Sequence, residues 1–307
     1  MDNALIRTFL EVAATGSFIA AADRLFVTQS AVSLRVQRLE ASLGQPLFIR
    51  SRAGAELTPA GLRFETYALS LTKIWAEAQQ QIGIPESFTQ SVTLGAQYSL
   101  WPRLGFAWMD ALRSDRSDLM IRAELGMPDR LTRFLIEGTV QAALMYTPQL
   151  RPGLSVEKVI EEDLVMVSDL PVVDMGEVTN YVLVDWGAEF VHAHALHLPR
   201  LSGSGIVLSL GALAADYILG RGLAAYLPAR SVERRVAAGD LHLVPDAPVF
   251  PYPVWAVLRD DIPADLATRL RQSLARIAEG AEDIQANVRA ALDEISDDDI
   301  ATLGVAE

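Results

Sequence analysis

The apolar side chains of the first 44 residues restart their spacing twice, which confines this stretch to three short helices in quick succession. Leu5, Phe9, Val12 and Ala13 fall at i, i+4, i+7 and i+8, the stripe of an amphipathic helix that Gly16 closes. Ser17 is placed to cap a second helix, Phe18 to Leu25, whose alanines permit close approach of another backbone. Phe26-Val27 makes the turn. Thr28 caps a third helix, on which Val32, Val36, Leu39 and Leu43 repeat at i, i+4, i+7 and i+11 until Gly44 ends the pattern.

The face of the third helix opposite that stripe carries Ser30, Leu34, Gln37 and Arg38, with Ala31 and Ser33 on its flanks. Hydrogen-bonding and small groups on N-terminal turns suit a major groove, but an ordinary solvated face has the same make-up. Gln45 to Thr58 then reads as strand, turn at Gly54, and strand. Arg50 and Arg52, two apart, project from one face of this hairpin and are placed to straddle a phosphate backbone. Thr58-Pro59 supplies an N-cap with proline at the first helical position.

Charge is distributed in keeping with a polyanion-facing N-terminus. The net charge is −13, yet residues 1–60 carry six arginines against five acids. Residues 28–63 hold Arg35, Arg38, Arg50, Arg52 and Arg63 against Glu40 and Glu56. Lys73 and Lys158 are the only lysines, so the basic residues are almost all arginine, the side chain suited to forked recognition of phosphate or guanine, though compositional bias explains the excess equally well.

The run AAADRLFVTQSAVSLRVQRLEASLGQPLFIRSRAGAELTPAG resembles the DNA-binding domain of the LysR-type transcriptional regulators, with a dense match over about residues 4–82. The resemblance implies a winged helix-turn-helix over residues 1–58. Ala21 to Leu25 would lie on the scaffold helix, Gln29 to Leu43 on the recognition helix, and Arg50 and Arg52 in the wing. It makes Gln29, Ser30 and Ser33 DNA-contacting positions, with Thr28, Leu34, Arg35, Gln37 and Arg38 completing the surface. The family usually has Arg where this chain has Leu34; Arg35 is the basic residue here and is turned toward the flank, where it would meet phosphate. Leu34 would touch a thymine methyl, which predicts an altered half-site preference.

Pro59 to about Ile82 forms one long helix with Phe64, Ala68, Leu71, Trp75, Ala78 and Ile82 at three- and four-residue steps. In the family this stripe packs antiparallel on a second subunit, so Phe64, Leu71, Trp75, Ala78 and Ile82 are the expected dimer contacts, with burial against the chain's own core as the alternative. Residues 59–90 thus read as dimerisation helix and hinge.

From Ser91 strand-like and helical runs alternate, in the beat of two open α/β lobes: lobe I over about 91–162 and 254–307, lobe II over about 163–253. Pro263 to Gly280 reads as a C-terminal helix. The pattern resembles the family's effector domain, a fold shared with periplasmic binding proteins. The resemblance implies a small-molecule effector between the lobes, near strand ends and helix N-termini. The candidate residues there are Gln97, Tyr98, Ser99, Tyr146, Thr147, Asp185, Trp186, Ser209 and Tyr226. The aromatics among them equally suit core packing, and no carboxylate-clamping arginine stands at these positions; a plugged cleft working without an effector is the variant reading.

Other classes fare badly. With no cysteine there is no thiolate nucleophile and no disulfide framework, and the N-terminus lacks a signal-peptide pattern, so a cytoplasmic protein without a membrane segment is expected. No nucleophile elbow, zincin pair or phosphate loop is present, and no enzyme activity or cofactor is expected. Gly220-Arg-Gly222 follows a helix and leads into a strand, a helix stop rather than a dinucleotide site. Glu161-Glu162-Asp163 and Asp297-Asp298-Asp299 read as solvated charge or helix starts, and His192, His194 and His197 as a surface or lobe-edge cluster rather than a metal site. The expected protein is a sequence-specific regulator, dimeric or tetrameric on an interrupted inverted repeat of double-stranded DNA, with RNA polymerase as a further partner. The contrasting class is a solute-binding or metabolic α/β protein with an incidental helical module.

Overall fold

A computed structural model describes residues 2–51, 54–172, 174–209, 211–296 and 300–303. The chain divides into two compact units near residue 86.

The first unit is built from α1 (Asn3–Thr15), α2 (Phe18–Leu25), α3 (Gln29–Leu43), the hairpin β1 (Phe48–Ser51) and β2 (Gly54–Leu57), and α4 (Pro59–Ile82). Hydroxyl caps begin α2, α3 and α4. Ser17 Oγ accepts from Ala20 N–H, Thr28 Oγ1 from Ala31 N–H and Thr58 Oγ1 from Gly61 N–H, each satisfying an otherwise orphaned donor. Phe9, Phe18, Val32, Val36 and Phe48 are buried at the centre, with Phe9 stacked edge-on to Phe64 at 5.0 Å. The wing is clamped to the α1–α2 turn by Ala55 N–H donating to Gly16 O at 2.7 Å. Only glycine fits beside that bond, because a Cβ at Gly54 would stand 2.5 Å from the Gly16 carbonyl oxygen. Leu43, expected on the buried stripe, is 44% exposed. The core ends at Leu39, and Glu40 turns the chain back by accepting from Leu47 and Phe48 N–H.

The second unit holds β3 (Gln90–Ala96), α5 (Phe106–Asp115), β4 (Leu119–Leu125), α6 (Pro128–Ile136), β5 (Ala142–Met145), β6 (Leu154–Ile160), β7 (Asp163–Ser168), β8 (Leu183–Val184), α7 (Ala188–His197), β9 (Val207–Leu208), α8 (Ala214–Ile218), β10 (Ala224–Pro228), α9 (Ala229–Ala237), β11 (His242–Leu243), β12 (Phe250–Pro251), β13 (Val254–Arg259) and α10 (Ala264–Ile295). One sheet runs β4-β3-β5-β13-β6, with β3 parallel to β4 and β5 and with β13 antiparallel to β5 and β6. The other is antiparallel, β7 pairing with β10, β11 and β12, and β8-β9 form a short parallel pair beside it. The second α/β beat of the sequence therefore folds around an antiparallel centre. Gly220 and Gly222, both at positive φ, give their N–H groups to the Asp169 carboxylate and hold it below its usual pKa.

The C-terminal helix does not stop at Gly280. α10 runs 32 residues because Ala281, Val288 and Leu292 continue its buried stripe beyond the glycine. Its first half lies on the first sheet's side, where Leu266, Leu270 and Leu274 are buried and Trp108 Nε1 donates to Leu270 O and Ser273 Oγ. Its second half reaches the other sheet: Gln285 Oε1 accepts from Asp163 N–H at 3.1 Å, and Arg289 Nη1 lies 3.3 Å from Asp163 Oδ2. The chain then pairs with the second sheet, through Val249 N–H to Ala301 O and Leu303 N–H to Val249 O. One helix thus straps both lobes. Among the described residues no helix is long and apolar enough to cross a membrane.

Candidate nucleic-acid interface and inter-lobe cleft

On α3, Val32, Val36 and Leu39 are buried, which turns Gln29, Ser30, Gln37 and Arg38 to solvent. Leu34 joins them at 48% exposure, and Ser33 is half-buried on the flank. Thr28 is exposed, but its Oγ1 is occupied by the helix cap and by Ser30 Oγ at 3.0 Å. Arg35 is half-buried and its Nη1 donates to Thr8 Oγ1 at 3.4 Å, so the flank orientation leads it toward α1. On β1, the Arg50 guanidinium carbon sits 4.2 Å from the centre of the Phe18 ring, a cation–π contact that fixes an exposed positive charge beside the N-terminus of α2. Arg52 lies outside the described residues, as do Asp297, Asp298 and Asp299. The uncapped N–H groups of α3's first turn add partial positive charge to this surface.

Sequence reasoning passed over Phe26, which caps α2 at φ 54° and is 95% exposed. A turn residue between Leu25 and Val27, which both point inward, carries no periodic signal.

Along α4 the predicted stripe divides. Phe64 and Leu71 pack on the first unit's own core and are half-buried there. α1 and the wing already cover that half of the helix. Trp75 and Ile82 are 52% and 87% exposed, Ala78 is half-buried, and Ile74 and Tyr67 add further uncovered apolar surface.

In the second unit the structure brings together Gln97, Ser99 and Tyr146. Gln97 Oε1 accepts from Tyr146 N–H at 2.8 Å, and Ser99 lies beside the Tyr146 phenol. Tyr98, Thr147, Asp185 and Ser209 are exposed, with Asp185 Oδ1 accepting from Gly187 N–H. Trp186 and Tyr226 are core residues rather than cleft lining. Trp186 Nε1 donates to Tyr226 O and Tyr226 Oη to Pro248 O, both at 2.8 Å, and Tyr226 packs on Phe190 and Phe250.

Three residues at this centre escaped the sequence reading. Glu162 and Arg230, 1% and 4% exposed, form a two-pronged ion pair, and the Tyr146 hydroxyl donates to Glu162 Oε2 at 3.3 Å. Tyr252 stacks on Tyr146 at 3.9 Å and donates its hydroxyl to Trp186 O. Burial, reinforced by the Glu162 charge, pushes the Tyr146 phenol well above its usual pKa. The Glu161-Glu162-Asp163 run is therefore not simply solvated charge. Glu162 is interior, and burial raises the Asp163 carboxyl against the opposing charge of Arg289. A short acidic run set between two apolar strand stretches was the available signal.

The histidines do not converge. His194 is 1% exposed and stacks on Tyr181 at 5.3 Å, whereas His192 and His197 face solvent. Among the described residues no three His, Cys, Asp or Glu side chains are grouped to hold a metal ion.

Comparison with known proteins places these features. Residues 4–62 match the family described as bacterial regulatory helix-turn-helix protein, lysR family, and residues 85–276 match the LysR substrate binding domain. The HTH-type transcriptional regulator HdfR of Yersinia enterocolitica is 32% identical over 202 residues, covering 62% of this chain and 68% of the relative. HdfR of Yersinia pestis strain Pestoides F is 33% identical over 201 residues, covering 62% of this chain and 68% of its own. In fold, the chain is similar to LysG from Corynebacterium glutamicum, solved with bound effector Arg, at TM-score 0.54 and 19% identity over 91% of this chain and 99% of that one. It is also similar to ArgP from Mycobacterium tuberculosis, at TM-score 0.53 and 21% identity over 91% and 98%. The chain belongs to the LysR family, as a DNA-binding transcriptional regulator with an N-terminal helix-turn-helix and a C-terminal effector-binding domain.

Proposed function

We propose that α3 enters the major groove of duplex DNA with Gln29, Ser30, Ser33, Leu34, Gln37 and Arg38 toward the bases and backbone, while Arg50 and Arg52 of the wing meet phosphate. The observation that carries this reading is the two-sided character of α3: Val32, Val36 and Leu39 anchor it, and the polar face opposite is open to solvent. Thr28 serves chiefly as the cap that presents the N-terminal turn, and Arg35 as a strut to α1.

Residues 1–58 bind DNA, 59–90 dimerise and hinge, and 91–307 form the regulatory domain. Trp75, Ala78 and Ile82 on α4 carry the contact between subunits, which places two recognition helices on an interrupted inverted repeat as a dimer or tetramer. The protein acts in the cytoplasm, without catalysis, and RNA polymerase is its further partner on the promoter. LysG is described with bound Arg, and an effector of this chain would meet Tyr98, Ser99, Thr147, Asp185 and Ser209, the cleft positions that retain solvent exposure.

A gel shift in rising salt tests the reading against a solute-binding protein. The regulator keeps one preferred duplex while binding to unrelated duplex falls steeply with salt. Loss of all duplexes in parallel overturns it.

A further inference from the structure

The buried polar groups of the expected cleft are committed to one another: Tyr146 to Glu162, Tyr252 to Trp186, and Trp186 to Tyr226. Open space lies elsewhere. A cavity of about 530 Å³ opens where Pro102, α9 and the middle of α10 meet, a volume within the range of small-molecule sites. Ile277, Ala281 and Ile284 of α10 form its apolar wall, and Arg230 and Arg234 of α9 border it.

The arginines are not spent. Glu162 accepts from Nη2 of the buried Arg230 at 2.9 Å and stands 2.9 Å from Nε as an ion pair without a hydrogen bond, and Nη1 has no partner among the described residues. Arg234, one turn along the same face of α9, is exposed and likewise has no side-chain partner among the described residues. The α10 wall is kept open by Gly280, at an interior helix position where glycine is a poor choice for stability. A Cβ there would meet nothing within 4 Å, so packing does not require the glycine. Arg230 and Arg234 are matched in formal charge by Glu162 and by Glu233, which also borders the cavity, so the site holds one carboxylate through directed guanidinium N–H donors and excludes a polyanion.

We propose that this cavity binds an amphipathic monocarboxylate, with its head on Arg230 Nη1 and the Arg234 guanidinium and its apolar body along Ile277, Ala281 and Ile284. The ligand would sit where α10 passes from one lobe to the other, touching Pro102, α9 and the strap together. This site adjoins the cleft through Arg230, whose partner Glu162 accepts from Tyr146, and it is independent of the DNA-binding reading, since it is assayed without DNA.

Calorimetry on the full chain with octanoate, its uncharged analogue octanamide, and inorganic phosphate tests it. Octanoate binds at one site, and octanamide and phosphate bind at least about tenfold more weakly, the loss expected for a missing charged hydrogen bond. Arg234→Met, at an exposed side chain, weakens octanoate by about tenfold or more, and Gly280→Phe, which fills the cavity, abolishes its binding. No heat with millimolar octanoate, equal binding of octanamide, or wild-type binding by Arg234→Met overturns the proposal.

Discussion

Arg230 closes on Glu162 in the interior of the regulatory domain, Nε 2.9 Å from Oε1, with side-chain exposures of 5% and 1%. Glu162 sits at the crossing from β6 to β7 and Arg230 in the first turn of α9, so the pair ties the crossover to the second sheet. Removing one partner strands the other charge away from water. Glu162→Gln and Arg230→Met should each lower unfolding free energy by about 3–5 kcal/mol in urea, while the double variant Glu162→Leu/Arg230→Met should recover most of that loss. Single variants as stable as wild type would show that the pair is not desolvated.

His194 should limit stability on the acid side. Burial among Tyr181, Phe190, Tyr226 and Phe250 pushes its pKa down to about 4. Its folded pKa lies below the unfolded value of about 6.5, so the unfolded chain takes up a proton first as pH falls. The contribution is complete above about pH 6.5 and is lost progressively toward pH 4. The chain should be about 2 kcal/mol less stable at pH 5 than at pH 7 from this group, and His194→Phe should flatten that slope. An unchanged slope in the variant would place the acid sensitivity elsewhere.

Leu34 is exposed on the α3 face at the position where the family usually has Arg. Binding-site selection with wild type and Leu34→Arg should return different preferred bases at one half-site position, with discrimination changing by about 1–3 kcal/mol there. Identical selected sequences would remove Leu34 from the readout.

The open part of the α4 stripe should hold subunits together. Trp75→Glu with Ile82→Glu should shift sedimentation from dimer or tetramer to monomer and leave far-ultraviolet circular dichroism unchanged. The same pair of substitutions without effect on assembly would move the interface off α4.

The first unit was legible almost residue by residue because its signals are local: caps at Ser17, Thr28 and Thr58, glycine at helix ends, and period-four apolar spacing. Where it failed, the cause was non-local. Leu43 has the right phase but no core beneath it, and Phe64 has the right phase for two different partners. The second unit depends on contacts far apart in sequence. Tyr226 at a strand end looked like a ligand residue, yet its hydroxyl finds Pro248 O and its ring finds Phe250. Glu162 looked solvated until Arg230, 68 positions on, folded over it. Gly280 signalled a stop on propensity, and the docking of Val288 and Leu292 overrode it.

Hydroxyl-radical footprinting of the wild-type protein on its selected duplex examines most directly whether two copies of α3 enter the groove together. Two protected segments on the same side of the duplex, centred about one helical turn or a whole multiple apart, are expected. One isolated protected segment, or uniform cleavage along the fragment, would contradict the account.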